Sequence, residues 1–314
     1  MARHDAWLWQ GAMDEEMAAH QERQTWELVH ASVDANVAGS RWAYDYKTNS
    51  DGEVNRYRAI FCLQGFTQHM GVDYDEVYAP CPAKATVRAV LTVVANQDLE
   101  AHALDVKNAH LNARMDKALY MKQLKGYEQG GDEVVCKSNL AIYGGKQAGN
   151  LWSSELHTTM TEVGAARSNA DPNLYLWHHP TNGLIIILVH VDDTLTAAKT
   201  TEGVKAGKAV ISGKYKVRDL GELKEFLGMR IERNRAQRTL FLSSPGHTQA
   251  LLLKFNMKHA NHAKVPMFNG TALMRGASDA LVDPEPYAEL VGSLLYLANT
   301  TRPDLAYAAG VMAR

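Results

Sequence analysis

Cysteine is scarce in this chain of 314 residues: Cys62, Cys81 and Cys136 are widely spaced and form no C-x-x-C pair. An odd, scattered set excludes a disulfide framework or a thiolate zinc cage and fits reduced thiols. Long apolar runs are missing as well. No stretch approaches the roughly 20 apolar residues of a membrane span. The N-terminus, MARHDAWLWQGAMDEEMAAH, turns acidic before a signal-peptide core could form. The expectation is an intracellular protein, cytoplasmic or nuclear, not secreted and not held in a membrane. Excess charge is missing too: 33 Lys and Arg against 35 Asp and Glu leave a net charge of -2. That balance argues against a uniformly basic nucleic-acid binder and leaves room for a local basic channel. The chain shows no internal repeat, no low-complexity segment and no regular alternation of a Rossmann or barrel fold.

What is present is an ordinary globular composition, 46% hydrophobic and 22% charged, in a length that suits two domains or one elaborated domain. The pattern predicts an acidic, exposed helix over 12–24 and a short strand over 25–29. A hairpin follows around Asn49, Ser50, Asp51 and Gly52. Val87, Val90, Leu91 and Val94 share one helix face, and EAHALDV then reads as a strand ending at Asp105. Trp152, Leu156, Met160 and Val163 mark a second helix face between Lys146 and Val163. Asn182-Gly183 is a turn opening the most apolar run, LIIILV, whose partner strand is TLTAA. Beyond it come a helix over 201–211, a hairpin around Asn234 to Gln237, and a helix from Ser244-Pro245 to about Met257. Residues 258–285 read as a linker, and a last helix starts near Pro286.

The run LIIILV ends in HVDDTL, so two adjacent carboxylates close a buried strand. Such a pair repels itself and is costly unless water, cations or donors offset it. Neighbouring strand residues point to opposite faces, so both acids reach one site only if the chain turns, here between Val191 and Leu195. Asp-Asp pairs in hairpins are commonly solvated turns. Asp105 repeats the design, an acid at the end of a half-buried strand. Three carboxylates at strand ends make a hard-oxygen site suited to Mg²⁺ or Mn²⁺ and not to zinc. Two such ions roughly 3.5 to 4 Å apart clamp an in-line phosphoryl displacement. Polymerases and nucleases both use that arrangement, and the carboxylates alone do not separate them.

The surrounding blocks do. RYRAIFCLQGFTQHMGVDYDEVYAP, LDVKNAHLN, LYMKQLKGYE, VCKSNLAIYGGKQAGNLW, LVHVDDTL, VRDLGELKEFLGMRIE and TRPDLAYA resemble, in order, the reverse transcriptase of Ty1/copia-type retrotransposon polyproteins. The match runs from about Thr25 to the C-terminus. The resemblance implies an α+β right-hand polymerase with fingers, palm and thumb, its antiparallel palm sheet flanked by helices. Residues 1–24 would be an N-terminal helical extension, 25–257 fingers and palm with the start of the thumb, and 258–314 a thumb or connection segment. The chain would then stop before ribonuclease H, as a fragment of a polyprotein.

The resemblance also assigns roles. Asp105, Asp192 and Asp193 match the catalytic aspartates that hold two Mg²⁺ ions, or Mn²⁺, with the Val106 carbonyl as a further metal ligand. Arg56, Arg58, His110, Lys146 and Gln147 match positions around the incoming nucleotide and template. The implied partners are an RNA or DNA template-primer, dNTPs and other parts of the polyprotein. Several positions depart from the family pattern. His190 stands for the tyrosine of the Tyr-Val-Asp-Asp block, and Ile60 and Gln64 stand where Arg and Lys reach the triphosphate. Losing charge-assisted bonds of roughly 1.5 to 3 kcal/mol lowers nucleotide affinity by one to two orders of magnitude each. Arg56 and Arg58 remain to serve the triphosphate. His110 replaces the aromatic ring that excludes a ribose 2′-hydroxyl, and Gly145, Gly149 and Asn150 replace Leu, Pro and Arg. Two function classes follow: an RNA-directed DNA polymerase, or a degenerate, inactive remnant that at most binds nucleic acid.

Other features carry less. His178-His179 and His259-x-x-His262 lack partners at zinc spacing. Gly144-Gly145-Lys146 lacks the first glycine and the Ser or Thr of a phosphate loop. Trp7 and Trp9 suit packing better than a stacking platform for single strands.

Overall fold

The computed structural model describes residues 5–32, 34–48, 54–131, 133–268 and 284–314. Helix α1 (Ala6–Glu22) precedes strands β1 (Trp26–His30), β2 (Val37–Ala38), β3 (Ser40–Thr48) and β4 (Val54–Leu63). Helix α2 (Lys84–Asn96) leads to β5 (Glu100–Val106), β6 (Tyr120–Met121) and β7 (Val134–Ser138), and then to α3 (Ala148–Glu162). Strands β8 (Ala166–Arg167), β9 (Leu174–His179), β10 (Gly183–His190) and β11 (Asp193–Ala198) precede α4 (Thr201–Ser212). Strands β12 (Val217–Glu222), β13 (Glu225–Phe226), β14 (Met229–Asn234) and β15 (Thr239–Ser243) lead to α5 (Pro245–Lys254), α6 (Pro284–Thr300) and α7 (Ala306–Met312).

The central sheet has six antiparallel strands in the order β12-β5-β11-β10-β9-β8. Strand β10 explains the run LIIILV, because both of its faces are buried from Ile185 to Val189. Ile185, Ile187 and Val189 pack with Trp152, Leu156 and Met160 of α3 and with Val204 and Ile211 of α4. Ile186 and Leu188 pack on the opposite side with Val87, Val90, Leu91 and Val94 of α2 and with Met229 and Ile231 of β14. A strand covered on both faces needs apolar residues at every position rather than at alternate ones. Helix α4 lies close because Gly207 has no side chain: a Cβ there would sit 2.6 Å from the Thr196 methyl. Gly207→Ala is expected to cost about 1–3 kcal/mol by overpacking, read as a lowered denaturation midpoint. An unchanged midpoint would mean the helix can back away freely.

A third core joins Met17 of α1 to Phe61, Leu63, Leu111, Leu119, Met121 and Ile142. Strands β1-β7-β6-β2 form one sheet here, and β3 and β4 form a separate two-stranded hairpin. The exposed acidic helix expected over 12–24 is instead α1, starting at Ala6 and burying Ala12, Met17 and His20. It runs along the free edge of β4, where Glu16 Oε1 accepts the Phe61 N–H at 3.1 Å, and so covers a strand edge that would otherwise be open to pairing. Trp9 packs edge-on against Tyr44 and Tyr57 of the hairpin, with centroids 5.2 and 4.7 Å away. The expected turn at Asn49 to Gly52 lies outside the described residues, as does most of the expected linker. Its described part, 258–268, forms neither helix nor strand. Helix α5 ends at Lys254, earlier than expected, and α6 begins two residues before Pro286. No described helix is long and apolar enough to cross a membrane.

Candidate active site

Strands β5 and β11 pair so that Asp193 lies directly opposite Asp105. His190 pairs with Asp193 across the β10–β11 hairpin, so the tip is two residues, Val191 and Asp192. It is shorter than the sequence pattern indicates. Asp192 belongs to the turn and Asp193 to the strand, which resolves how adjacent acids reach one end of the sheet. A two-residue hairpin requires positive φ, normally supplied by Gly, Asn or Asp. Here Val191 adopts φ 55, an outlier for a β-branched residue that stores about 1–3 kcal/mol of strain. Two bonds hold the tip: Val106 N–H donates to the Asp192 carbonyl at 2.8 Å, and Trp152 Nε1 donates to the Val191 carbonyl at 2.7 Å. The first seats the buried Val106 beside the acids.

Asp193 is half-buried, and its carboxyl titrates above the ordinary aspartate range. Burial is the main cause, reinforced by the charges of Asp192, Asp105 and Glu225 and opposed by His190. The set is a hard-oxygen group with uncompensated repulsion, the chemistry that a divalent cation relieves. Among the described residues, no three His, Cys, Asp or Glu are already gathered to hold an ion. The fit is therefore one of donor chemistry and strand position, not of a preformed cage.

His110 and Tyr143 stand beside this group, their rings edge-to-face at 4.9 Å. Burial lowers the His110 pKa against the pull of Asp192, and Nδ1 is buried without a partner. The Tyr143 phenol is pushed up to about 12, first by burial and then by Asp192 and Glu16, with Arg58 opposing. Asp105 adds to the same rise. Arg58 therefore shares an electrostatic neighbourhood with Asp105 and Asp192. Arg56 is engaged elsewhere, in an exposed 2.7 Å ion pair with Glu15 of α1.

Gln147 is 2% exposed and its amide is turned inward. It accepts from Gln68 Nε2 at 3.0 Å and donates to the Asp73 carbonyl at 2.8 Å. Gln68 Oε1 in turn accepts the Lys146 backbone N–H, at 2.8 Å, while the Lys146 side chain is exposed. In this structure the pair ties the start of α3 to the loop after β4, where the sequence places it at nucleotide and template. Gln68 and Asp73 escaped sequence reasoning because nothing local tells a loop Gln or Asp which distant donor it meets. The stretch Gly144-Gly145 is a backbone crossing: Gly144 has φ +85, and a Cβ there would lie 2.2 Å from the Leu63 carbonyl oxygen.

The family model described as Reverse transcriptase (RNA-dependent DNA polymerase) matches residues 23–269. The chain belongs to the reverse transcriptase family. Its relatives are of the copia type. It is 34% identical over 310 residues to the retrovirus-related Pol polyprotein from transposon TNT 1-94 of Nicotiana tabacum, covering 96% of this chain and 23% of that one. It is 36% identical over 302 residues to the Pol polyprotein from transposon RE2 of Arabidopsis thaliana, covering 96% and 20%. The putative transposon Ty5-1 protein of Saccharomyces cerevisiae is 31% identical over 220 residues, covering 67% of this chain and 68% of that one. The chain thus spans about a fifth of the length of the plant polyproteins. A solved foamy viral protease-reverse transcriptase in complex with double-stranded DNA aligns over 92% of this chain and 40% of its own. That alignment has TM-score 0.42 and 10% identity. The antiparallel central sheet, with α3 and α4 on one face and α2 on the other, gives the chain an α+β fold.

Proposed function

We propose that this chain performs RNA-directed DNA synthesis on an RNA or DNA template, the primer 3′-hydroxyl attacking the α-phosphorus of a dNTP and pyrophosphate leaving as the α–β bond breaks. The observation that carries the reading is the register of Asp193 opposite Asp105, with Asp192 in the adjoining strained turn. Asp105, Asp192 and Asp193, with the Val106 carbonyl, are the residues that would hold two Mg²⁺ or Mn²⁺ ions. Bound there, the ions supply Lewis-acid activation of the hydroxyl and neutralise the triphosphate. The chain itself contributes the rest. The β5 and β11 backbones fix where the carboxylates start, and Arg58 offers an exposed cation on the same side. His110, whose pKa burial lowers, offers the sugar a polar edge in place of an apolar ring. In the polyprotein setting the other segments would be partners of this one, and the work would take place inside the cell.

Primer extension on poly(rA)/oligo(dT) with Mg²⁺ or Mn²⁺, against a chelator control, tests the reading. Extension that depends on the metal is expected. The second reading, a remnant that binds template-primer without extending it, has its own support. Arg56 is tied to Glu15, Ile60 carries no charge, and the Gln64 side chain packs over Gly39. Binding without extension, with synthesis appearing once Ile60→Arg and Gln64→Lys are combined, would favour that reading. His110→Phe is expected to raise the preference for deoxynucleotides over ribonucleotides by about tenfold through lost room and lost hydrogen bonding. Competitive incorporation of the two measures it, and unchanged selectivity removes His110 from the sugar contact.

A further inference from the structure

The sequence reads Trp152 as one of four apolar residues on a helix face. Its indole is 2% exposed and packs edge-on against Tyr215, centroids 5.0 Å apart. Packing alone leaves the direction of the N–H free. It is aimed at the Val191 carbonyl, the first tip residue of the carboxylate hairpin. We propose that Trp152 is a positioning residue: its indole N–H holds Val191 in the left-handed region and so sets the directions in which Asp192 and Asp193 leave the turn. The proposal rests on the polymerase reading above for its consequence in synthesis, and on geometry alone for the tie itself.

Three residues of the hairpin, Val189, Val191 and Asp192, are anchored by three different parts of the chain. Val189 N–H donates to the Asn173 carbonyl at 3.0 Å, and the Asp192 carbonyl accepts from Val106 N–H at 2.8 Å. Both are backbone bonds, set by strand register. Between them the Val191 carbonyl, at the strained residue, is held by a side chain. Behind the turn lies a cavity of about 40 Å³ lined by Val189, Val191, Trp152, Leu156, Tyr175 and Cys81 among others. The turn therefore has room to relax once its carbonyl is released. Valine gains by leaving positive φ, and doing so reorients the peptide that leads into Asp192. Glycine at the same position has no such preference, which makes the tie testable by a double-mutant cycle.

Trp152→Phe keeps a ring against Tyr215 and removes the N–H. In the full chain it is expected to lower kcat for primer extension about 10- to 100-fold, with KM for dNTP and template-primer affinity within about twofold. In a Val191→Gly background the same change should lower kcat by at most about threefold, and the two melting-temperature losses should be less than additive. The Trp152 indole proton should exchange with solvent far more slowly than that of Trp7, which is 71% exposed. Melting and proton exchange need no turnover. A wild-type chain that extends nothing would therefore overturn the polymerase reading, while these two measurements still judge the tie. Equal effects of Trp152→Phe in both backgrounds, or an indole proton that exchanges as fast as that of Trp7, would overturn the proposal.

Discussion

Asp193→Asn is expected to abolish primer extension, a loss of at least about 10³-fold or 4 kcal/mol of transition-state stabilisation, and at the same time to make the metal-free chain more stable. Both effects come from the same geometry. Asp193 lies opposite Asp105 and next to Asp192, and burial together with those charges raises its folded-state pKa. An acid whose pKa is raised on folding holds its proton longer in the folded state. Stability then falls as pH rises from the unfolded-chain value through the folded one, and the loss persists at neutral pH. Asparagine has no charge to repel its neighbours, so the variant loses this pH dependence along with the ligand oxygen. Melting curves in EDTA should show the variant above wild type at about pH 7 and the two converging at about pH 3. Adding Mn²⁺ at neutral pH should raise the wild-type midpoint by mass action and leave the variant almost unmoved. Extension at the wild-type rate, or a variant that melts below wild type at pH 7, would remove Asp193 from the metal-binding group.

The parts of this site legible in the sequence are those written in local pattern. A strand buried on both faces must be apolar throughout, so LIIILV announced β10, and an acid closing it announced the site. The helix faces of α2 and α3 were equally plain from their 3.6-residue spacing, save that Val163, read as part of the α3 face, lies exposed just past the end of that helix. What local pattern does not contain is the identity of a distant partner. Strand β12 pairs with β5 on the far side from β11, yet its residues Arg218, Asp219 and Leu220 are all exposed; an edge strand with so little burial shows no alternation. Helix α1 looks solvent-facing because its acids dominate the eye, while Ala12, Met17 and His20 supply just enough buried surface to dock it. Trp152 was visible as core, but the aim of its N–H was not, since that depends on a turn 39 residues later.

The same blindness to distant partners hid Asp171, whose loss is the largest stability effect expected outside the carboxylate group. Helix α2 begins after Ala83, a residue with no side chain able to cap it, and the unpaired N–H groups of a helix start need acceptors. Asp171, 3% exposed in the turn before β9, supplies one from 88 residues away, accepting the Ala83 N–H at 2.9 Å. It also accepts from Asn173 N–H at 2.9 Å and from the Thr86 side chain. Burial alone would raise its pKa, but the bonds from Thr86, Asn173 and Ala83 outweigh it and hold the carboxyl below the ordinary aspartate value. Such a group stabilises fully above the unfolded-chain pKa, and its contribution is lost as pH falls through the folded one. Asp171→Ala removes a cap and leaves buried donors unmet, a cost of about 3 kcal/mol, or roughly 6–12 °C in melting temperature. Asp171→Asn, which keeps one acceptor oxygen, should lose less and should flatten the acid limb of the pH profile. The effect reaches the candidate active site. Lys84, Val87 and Arg88 of α2 line a cavity of about 450 Å³ together with His190 and Asp193, and Arg88 is bonded to the Asn299 and Thr300 carbonyls of α6. Loosening the start of α2 therefore loosens the wall beside Asp193 and its tie to α6, so extension by the Ala variant should fail on warming before the chain unfolds. A variant that melts with wild type would show that the Asp171 carboxylate does not cap α2.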